Sequence, residues 1–326
     1  MPHPAPAASV VVPTHRGADR LPALLGALAA QQVDQPVEVV VVLDGPDAAT
    51  EDVLAAAPED LPLVVVRRPA PGGVAAAMNA GIAAAHGRVV IRCDDDLTPA
   101  PDMVARHLAH HVGRDPVGVI GPTLDELPDS PYARAFGRAA SARSVAAVVA
   151  ATADERWRHW AAHCSVRRDV LLAVGGYDES FRYREDSELG LRLHRHGVRI
   201  VVDEHLVLPH RGAATDAGTR LGRAWVSGAA QVRFAQRHPD VPVDPAVPSG
   251  SADGAKDAAW RVLTALVGSG VRTRANAERL GRLLDTALPH VPPSVGRRLV
   301  ALGAQAAADS GRRHGRGDQS GYGTRG

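Results

Sequence analysis

A chain of 326 residues with 45% hydrophobic content can bury one substantial α/β core and still carry a smaller appendage. The formal charge is +1, and the last sixteen residues, Gly311 to Gly326, hold four Arg and one Asp, so the remainder sits near −2. With aromatics at 3%, the body lacks the basic, aromatic-interleaved face that nucleic-acid binding needs, which argues against a nucleic-acid partner.

The first eight residues, rich in Pro and Ala, read as a flexible start with neither the basic n-region nor the apolar core of a secretory signal. Short β-branched runs follow at Ser9 to Pro13, Val37 to Leu43, Leu63 to Val66 and Arg88 to Arg92. Between them lie stretches of good helix formers, Asp19 to Gln31, Ala48 to Ala57 and Val74 to His86, each bounded by Gly or Pro. This alternation predicts an α/β fold with a mostly parallel central sheet flanked by helices. Apolar runs at Val117 to Ile120, Cys164 to Val166 and Val198 to Val202 extend the sheet, with helices around Asp102 to His111, Asp169 to Val174 and Ser187 to His196. The α/β domain is expected over residues 9–240, then a Pro-rich linker over 241–252, a helical C-terminal segment over 253–310 and a disordered tail over 311–326.

The helical segment places Trp260, Leu263, Leu266, Val267, Leu280, Leu283, Leu284 and Leu288 at mostly helical spacing, a stripe suited to packing on the body or to forming a homodimer. Cys93 and Cys164 lie in apolar runs without C-x-x-C spacing and read as buried thiols of a reducing compartment. No apolar stretch approaches the roughly 20 residues of a membrane-spanning helix. A cytoplasmic protein is expected, with peripheral membrane contact left open.

The turn after the first strand, Pro13-Thr14-His15-Arg16-Gly17, is neither a G-x-G-x-x-G nor a P-loop. The fourth strand instead ends in Asp94-Asp95-Asp96. In open α/β sheets ligands bind beyond the carboxyl ends of strands, and hard cations such as Mg²⁺ or Mn²⁺ take carboxylates together with substrate phosphates. The competing reading is a solvated acidic turn before a helix. A second acidic site runs from Gly175-Gly176-Tyr177-Asp178-Glu179 to Arg184-Glu185-Asp186-Ser187-Glu188. A carboxylate at this loop-to-helix junction suits a general base toward an acceptor hydroxyl; Asp186 is the candidate, with Glu185 beside it, against a plain N-capping role.

Taken in order, Ser9-Val-Val-Val-Pro-Thr14, Val39-Val-Val-Val-Leu-Asp44-Gly45, Gly73-Val-Ala-Ala-Ala-Met-Asn79-Ala-Gly81, Asp94-Asp-Asp96, Gly175-Gly-Tyr-Asp-Glu179 and Glu185-Asp186 resemble the GT-A enzymes of glycosyltransferase family 2, over about residues 8 to 210. The resemblance implies a GT-A fold, Rossmann-like, with the C-terminal helices as an appendage. It also implies a nucleotide-diphosphate-sugar donor (UDP-, GDP- or dTDP-sugar), a hydroxyl-bearing acceptor, Mn²⁺ or Mg²⁺, and inversion at the anomeric carbon. Pro13, Thr14 and Arg16 then belong to the nucleotide loop, Asp44 to the base or ribose, and Asn79 to the helix beside the diphosphate. Asp94 and Asp95 lie near the donor, Asp96 is the principal metal ligand with Asp94, and Asp186 is the base. His210 sits where many relatives place a histidine after the last strand, which suits either an extra ligand for Mn²⁺ or an ordinary surface histidine.

Met78 stands where many relatives carry Arg, so a cationic donor contact is either absent or supplied by Arg67, Arg68 or Arg92. Trp157 and Trp160 suit either stacking on a sugar or anchoring a loop. Two rival functions are a nucleotidyltransferase, for which the first loop is poor in the Gly, Arg and Lys that handle a triphosphate, and a nucleotide-sugar-binding regulator without turnover.

Overall fold

The computed structural model describes residues 5–113, 115–242 and 254–315. Residues 1–4, most of the expected linker and most of the expected tail lie outside them. Packing divides the chain into two units, one built from the chain up to Asp125 and from Ser144–Gly212, the other from Glu126–Arg143 and from Ala213 onward. Residues 213–240 thus pack with the C-terminal helices.

The first unit runs β1 (Ala8–Thr14), α1 (Leu21–Ala29), β2 (Val37–Leu43), α2 (Ala48–Ala55), β3 (Leu63–Arg67), α3 (Val74–Ala84), β4 (Val89–Cys93), α4 (Met103–Ala109), β5 (Val117–Ile120) and β6 (Thr123–Asp125). After α5 (Arg138–Ala150), divided between the units at Arg143, come β7 (His163–Arg167), α6 (Arg168–Ala173), α7 (Glu185–Arg195), β8 (Arg199–Val202) and β9 (Leu208–His210). Seven strands form one sheet in the order β3-β2-β1-β4-β7-β5-β8. Only β7 runs antiparallel, to both β4 and β5. The expected mostly parallel sheet is present; β6 and β9 pair in a separate two-stranded ladder that the sequence reading did not foresee.

The valine runs of β1 and β2 are buried almost throughout, as strands covered on both faces must be. Pro13 lies beyond the last β1–β4 pair, Val11↔Arg92, so its missing N–H spares that ladder. Gly81 lets α3 settle on the sheet, because a Cβ there would come within 2.4 Å of Val11 Cγ1 and 3.0 Å of Val42 Cγ2. Trp157 and Trp160 are 4% and 2% exposed, which resolves their two readings in favour of anchoring. Both cysteines are buried free thiols.

A cluster of histidines around a serine is buried inside this unit. His107 Nε2 is 2.8 Å from His163 Nε2, and Ser165 Oγ is 2.8 Å from both His107 Nδ1 and His111 Nε2. Burial holds all three imidazoles neutral, lowering His107 far below its ordinary value and His111 and His163 to about 4; His110, Arg88 and Arg167 add to the effect at His111. A depressed histidine pKa contributes stability that is present above the unfolded value of 6.5 and lost as pH falls through the folded value. Melting temperature should therefore drop between about pH 6.5 and 4, by on the order of a few kcal/mol of stability. His111→Asn should shrink the drop; an unchanged profile would remove these histidines from the account.

The second unit holds α8 (Ala217–Arg237), α9 (Gly254–Ser269), α10 (Arg274–Ala287) and α11 (Pro293–His314). The Asp216 and Thr273 side chains cap α8 and α10, accepting from Thr219 N–H and Asn276 N–H. The crossings of α8 with α11 are close because they are made at glycines: a Cβ on Gly228 would sit 2.0 Å from the Ala308 carbonyl oxygen. Helix α11 continues to His314, past the point where the tail was expected to begin.

Candidate active site

The site is built where β1, β2 and β4 end, with α7 supplying the second acidic group. After Cys93 the chain turns, and Leu97 N–H donates to the Asp94 carbonyl at 3.2 Å, which closes the acidic triplet into a tight turn. Asp94, Asp95 and Asp96 are 5%, 5% and 2% exposed, so the solvated-turn reading does not describe them. Three buried carboxylates in a row require partners. Each has a different set.

Asp94 is gripped by Arg92, whose Nε donates to Oδ1 at 2.8 Å and whose Nη2 donates to Oδ2 at 3.2 Å. Asp95 accepts from Thr14 Oγ1 at 2.7 Å and from Arg20 Nε and Nη2 at 3.1 and 3.0 Å. Burial raises the Asp95 pKa, against the pull of Arg20 and Thr14. Asp96 faces β9, where its Oδ2 lies 3.5 Å from His210 Nε2. His210 Nδ1 is in turn 2.7 Å from Asp125 Oδ1, its partner across the β6–β9 ladder. Burial works against the imidazolium, but Asp125 and Asp96 outweigh it and lift His210 to about 9. Backbone bonds from Thr98 N–H to the Pro209 carbonyl and from Arg211 N–H to the Asp96 carbonyl fix β9 against the triplet.

Asp186 is the second residue of α7, which Glu185 opens, and Arg184 before the helix adopts a left-handed φ of 68°. The Asp186 carboxylate pairs with Arg92 Nη1. Arg92 is only 3% exposed and carries Tyr177 beside it, with the ring centroid 5.8 Å from the guanidinium. One buried cation therefore joins Asp94 to Asp186 across the site. Glu185 is buried, and desolvation together with the Asp186 charge raises its carboxyl to about 8. Such a group stabilises the fold below its unfolded value of 4.5 and loses that contribution as pH rises through its folded value. Stability should decline between about pH 5 and 8 on this account. Thermal melts of Glu185→Gln should show a flatter profile over that range, and a decline identical to the parent's would exclude Glu185 as its source.

Asp44 and Asn79 are fully engaged with the chain itself. The Asp44 carboxylate pairs with Arg68 and accepts from Gly72 N–H and Gly73 N–H, with the shortest of these backbone bonds at 2.7 Å. Asn79 accepts from Tyr177 N–H at 2.8 Å and donates to the Tyr177 carbonyl and to Glu179 Oε1, both at 2.9 Å. It clamps the Gly176–Tyr177 turn onto α3. Pro13 and Thr14 are buried at the end of β1, Met78 is buried in α3, and Arg16 is exposed with φ 50°.

The structure thus gathers Thr14, Asp94, Asp95, Asp96, His210 and Asp186 into one connected set. Asp44 and Asn79 hold neighbouring loops. Of the three cations considered in place of an arginine at 78, Arg67 pairs with Glu51, Arg68 with Asp44 and Arg92 with Asp94 and Asp186. Arg20 and Asp125 were missed by sequence reasoning. Arg92 was considered only as a donor contact, yet an arginine inside the apolar strand Val89-Val-Ile-Arg-Cys93 is itself a signal, since a charge buried in a central strand demands anionic partners.

The family model for glycosyl transferase family 2 matches residues 9–146. Validoxylamine A glucosyltransferase of Streptomyces hygroscopicus subsp. jinggangensis is 31% identical over 225 residues, which is 60% of this chain and 53% of that protein. An uncharacterized glycosyltransferase of Bacillus subtilis, YfnE, is 32% identical over 114 residues, 35% of this chain and 29% of the relative. The chain thus spans about half the Streptomyces protein and less than a third of the Bacillus one. Among solved structures, mannosyltransferase PcManGT from Pyrobaculum calidifontis aligns over 95% of this chain and 88% of its own, with a TM-score of 0.59 and 20% identity. S. aureus TarS 1-349 aligns over 95% and 92% with a TM-score of 0.50 and 16% identity, so both likenesses are of fold. Residues 9–146 of this chain thus match the model of glycosyl transferase family 2, and its sheet and helices form a GT-A-like fold.

Proposed function

We propose that this chain transfers a sugar from a nucleotide-diphosphate donor to an acceptor hydroxyl, with inversion at the anomeric carbon and with a divalent cation. The observation that carries the reading is the Arg92 link between the acidic triplet and Asp186. It holds a candidate base at a fixed place relative to the carboxylates that lie, by resemblance, on the donor side. The Asp186 side chain is 22% exposed, so it remains open to an acceptor while tethered. Asp186 takes the proton from the acceptor oxygen as that oxygen attacks the anomeric carbon from the face opposite the diphosphate.

The donor set fits a hard or borderline cation. Asp96 Oδ2 and His210 Nε2 offer an oxygen and a nitrogen 3.5 Å apart, close enough for both to reach one ion. Among the described residues no group of three or more His, Cys, Asp or Glu is placed to hold a metal ion, so diphosphate oxygens and water would have to complete the coordination. Mn²⁺ or Mg²⁺ bound there would offset the charge developing on the leaving diphosphate. His210 must give up its Nε2 proton to ligate, and Asp125 at Nδ1 keeps the ring oriented when it does. Asp94, neutralised by Arg92, serves to position that arginine. Donor chemistry in proteins of similar fold supports the class: the Pyrobaculum enzyme is described with GDP-Man and Mn²⁺, and TarS 1-349 with UDP-GlcNAc.

The test is release of nucleoside diphosphate from a panel of UDP-, GDP- and dTDP-sugars with Mn²⁺ or Mg²⁺, with and without EDTA. Metal-dependent release from one donor is the expected result. Binding of a donor without release under any acceptor supports the regulator instead, and turnover of a nucleoside triphosphate with a sugar phosphate supports the nucleotidyltransferase.

A further inference from the structure

Helix α9 is built inside out for a helix facing water. Its inner side packs on α11, where Trp260 Nε1 donates to Gln305 Oε1 at 2.8 Å and Thr264 is buried. Its outer side presents Ala258, Ala259, Val262, Leu263, Ala265 and Leu266. Val262, Leu263 and Leu266 are 60%, 48% and 65% exposed. Between Ala258 and Ser269 the sole charged residue is Arg261, on the rim of this face. A surface helix ordinarily turns its charges outward and its aliphatic stripe inward.

The unit that carries that face is basic in sequence, and arginines lie at its rim. Residues 126–143 and 213–320 contain eighteen Lys and Arg against eleven Asp and Glu, a formal +7, while the rest of the chain carries −6. Arg272 is exposed just beyond the end of α9. The Arg313 guanidinium lies over Gly268 on α9, where a Cβ would come within 2.9 Å of its Nη2. A second copy of the same unit would bring a second +7 toward this surface, which opposes a homodimer through it. A surface that is both anionic and able to accept aliphatic side chains satisfies both features at once.

We propose that the outer face of α9 docks on an anionic lipid surface. Val262, Leu263 and Leu266 enter the boundary between headgroups and acyl chains, and Arg261, Arg272 and Arg313 pair with lipid phosphates. The inference is independent of the transfer reaction and needs no residue of the active site.

Co-sedimentation of the full chain with vesicles of phosphatidylcholine, with and without phosphatidylglycerol, tests it. Binding should be at least about tenfold stronger with the anionic lipid and should weaken by a similar factor as salt rises. Val262→Ser/Leu263→Ser/Leu266→Ser should lose most of the binding, and so should Arg261→Glu/Arg272→Glu. Both variants alter exposed positions, and circular dichroism with unchanged donor turnover would establish that they fold. No binding to anionic vesicles by the parent overturns the proposal. So does binding that survives the triple serine variant, which would be charge attraction alone. A stable dimer that the triple variant converts to monomer assigns the face to a second copy and equally overturns it.

Discussion

Asp186→Asn should lower turnover by about 10²- to 10⁴-fold, the usual cost of removing a positioned base, with donor KM changed by no more than about threefold. Asn keeps the shape of the side chain and can still accept a bond from Arg92, and Arg92 keeps its pair with Asp94, so the variant should fold. Nucleoside diphosphate release under saturating donor, with circular dichroism as the control, reads both quantities. Near-parental turnover would remove Asp186 from the mechanism. The counterpart is Arg92→Met, which leaves two carboxylates facing each other without their shared cation. Breaking a buried pair in this way typically costs about 3–5 kcal/mol, so this variant should lose stability as well as turnover. Arg92→Lys restores the charge without the fork that reaches Asp94 twice and Asp186 once, and should recover stability only in part. Asp186→Asn thus tests the chemistry, and the arginine variants test what holds the base in place.

Much of this arrangement was legible in the sequence because it depends on local pattern. The valine runs of β1 and β2 and the Ala-rich helix over Val74–Ala84 fall where hydrophobic periodicity puts them. The acidic triplet is recognisable because charge of that density after an apolar strand has few structural uses. What was not legible depends on contacts between distant segments. The antiparallel direction of β7 follows from its pairing with β4 and β5, which a five-residue strand does not encode alone. The His107–His163–Ser165–His111 cluster joins α4 to β7, and no spacing rule links residues more than fifty positions apart. Asn79 shows the converse: its position matches a donor-side helix, yet its whole side chain is taken up by the Tyr177 backbone and Glu179, and that could be seen only once the Gly176 turn was placed. Asp125 was overlooked because a lone acid in a three-residue strand looks like a turn until His210 is set beside it.

The acidic triplet itself separates into parts that mutation can tell apart. Asp96→Asn should reduce metal-dependent turnover by about 10²- to 10³-fold, the range expected when a charge-stabilising group is removed. Asn keeps the shape of the side chain facing His210, so the melting temperature should fall less than in the Asp95 variant. Raising Mn²⁺ should recover part of the loss, because His210 and the diphosphate still offer donors. Asp95→Asn should behave in the opposite way. Asp95 holds Thr14 at the end of β1 and Arg20 at the start of α1, and the substitution weakens a buried charged pair, so stability should fall while added metal recovers nothing. Titrations of turnover against Mn²⁺ for the two variants, each with a thermal melt, distinguish a ligand from a brace. If both variants lost stability equally and neither responded to metal, the triplet would be a structural turn, and the cation would have to be held elsewhere.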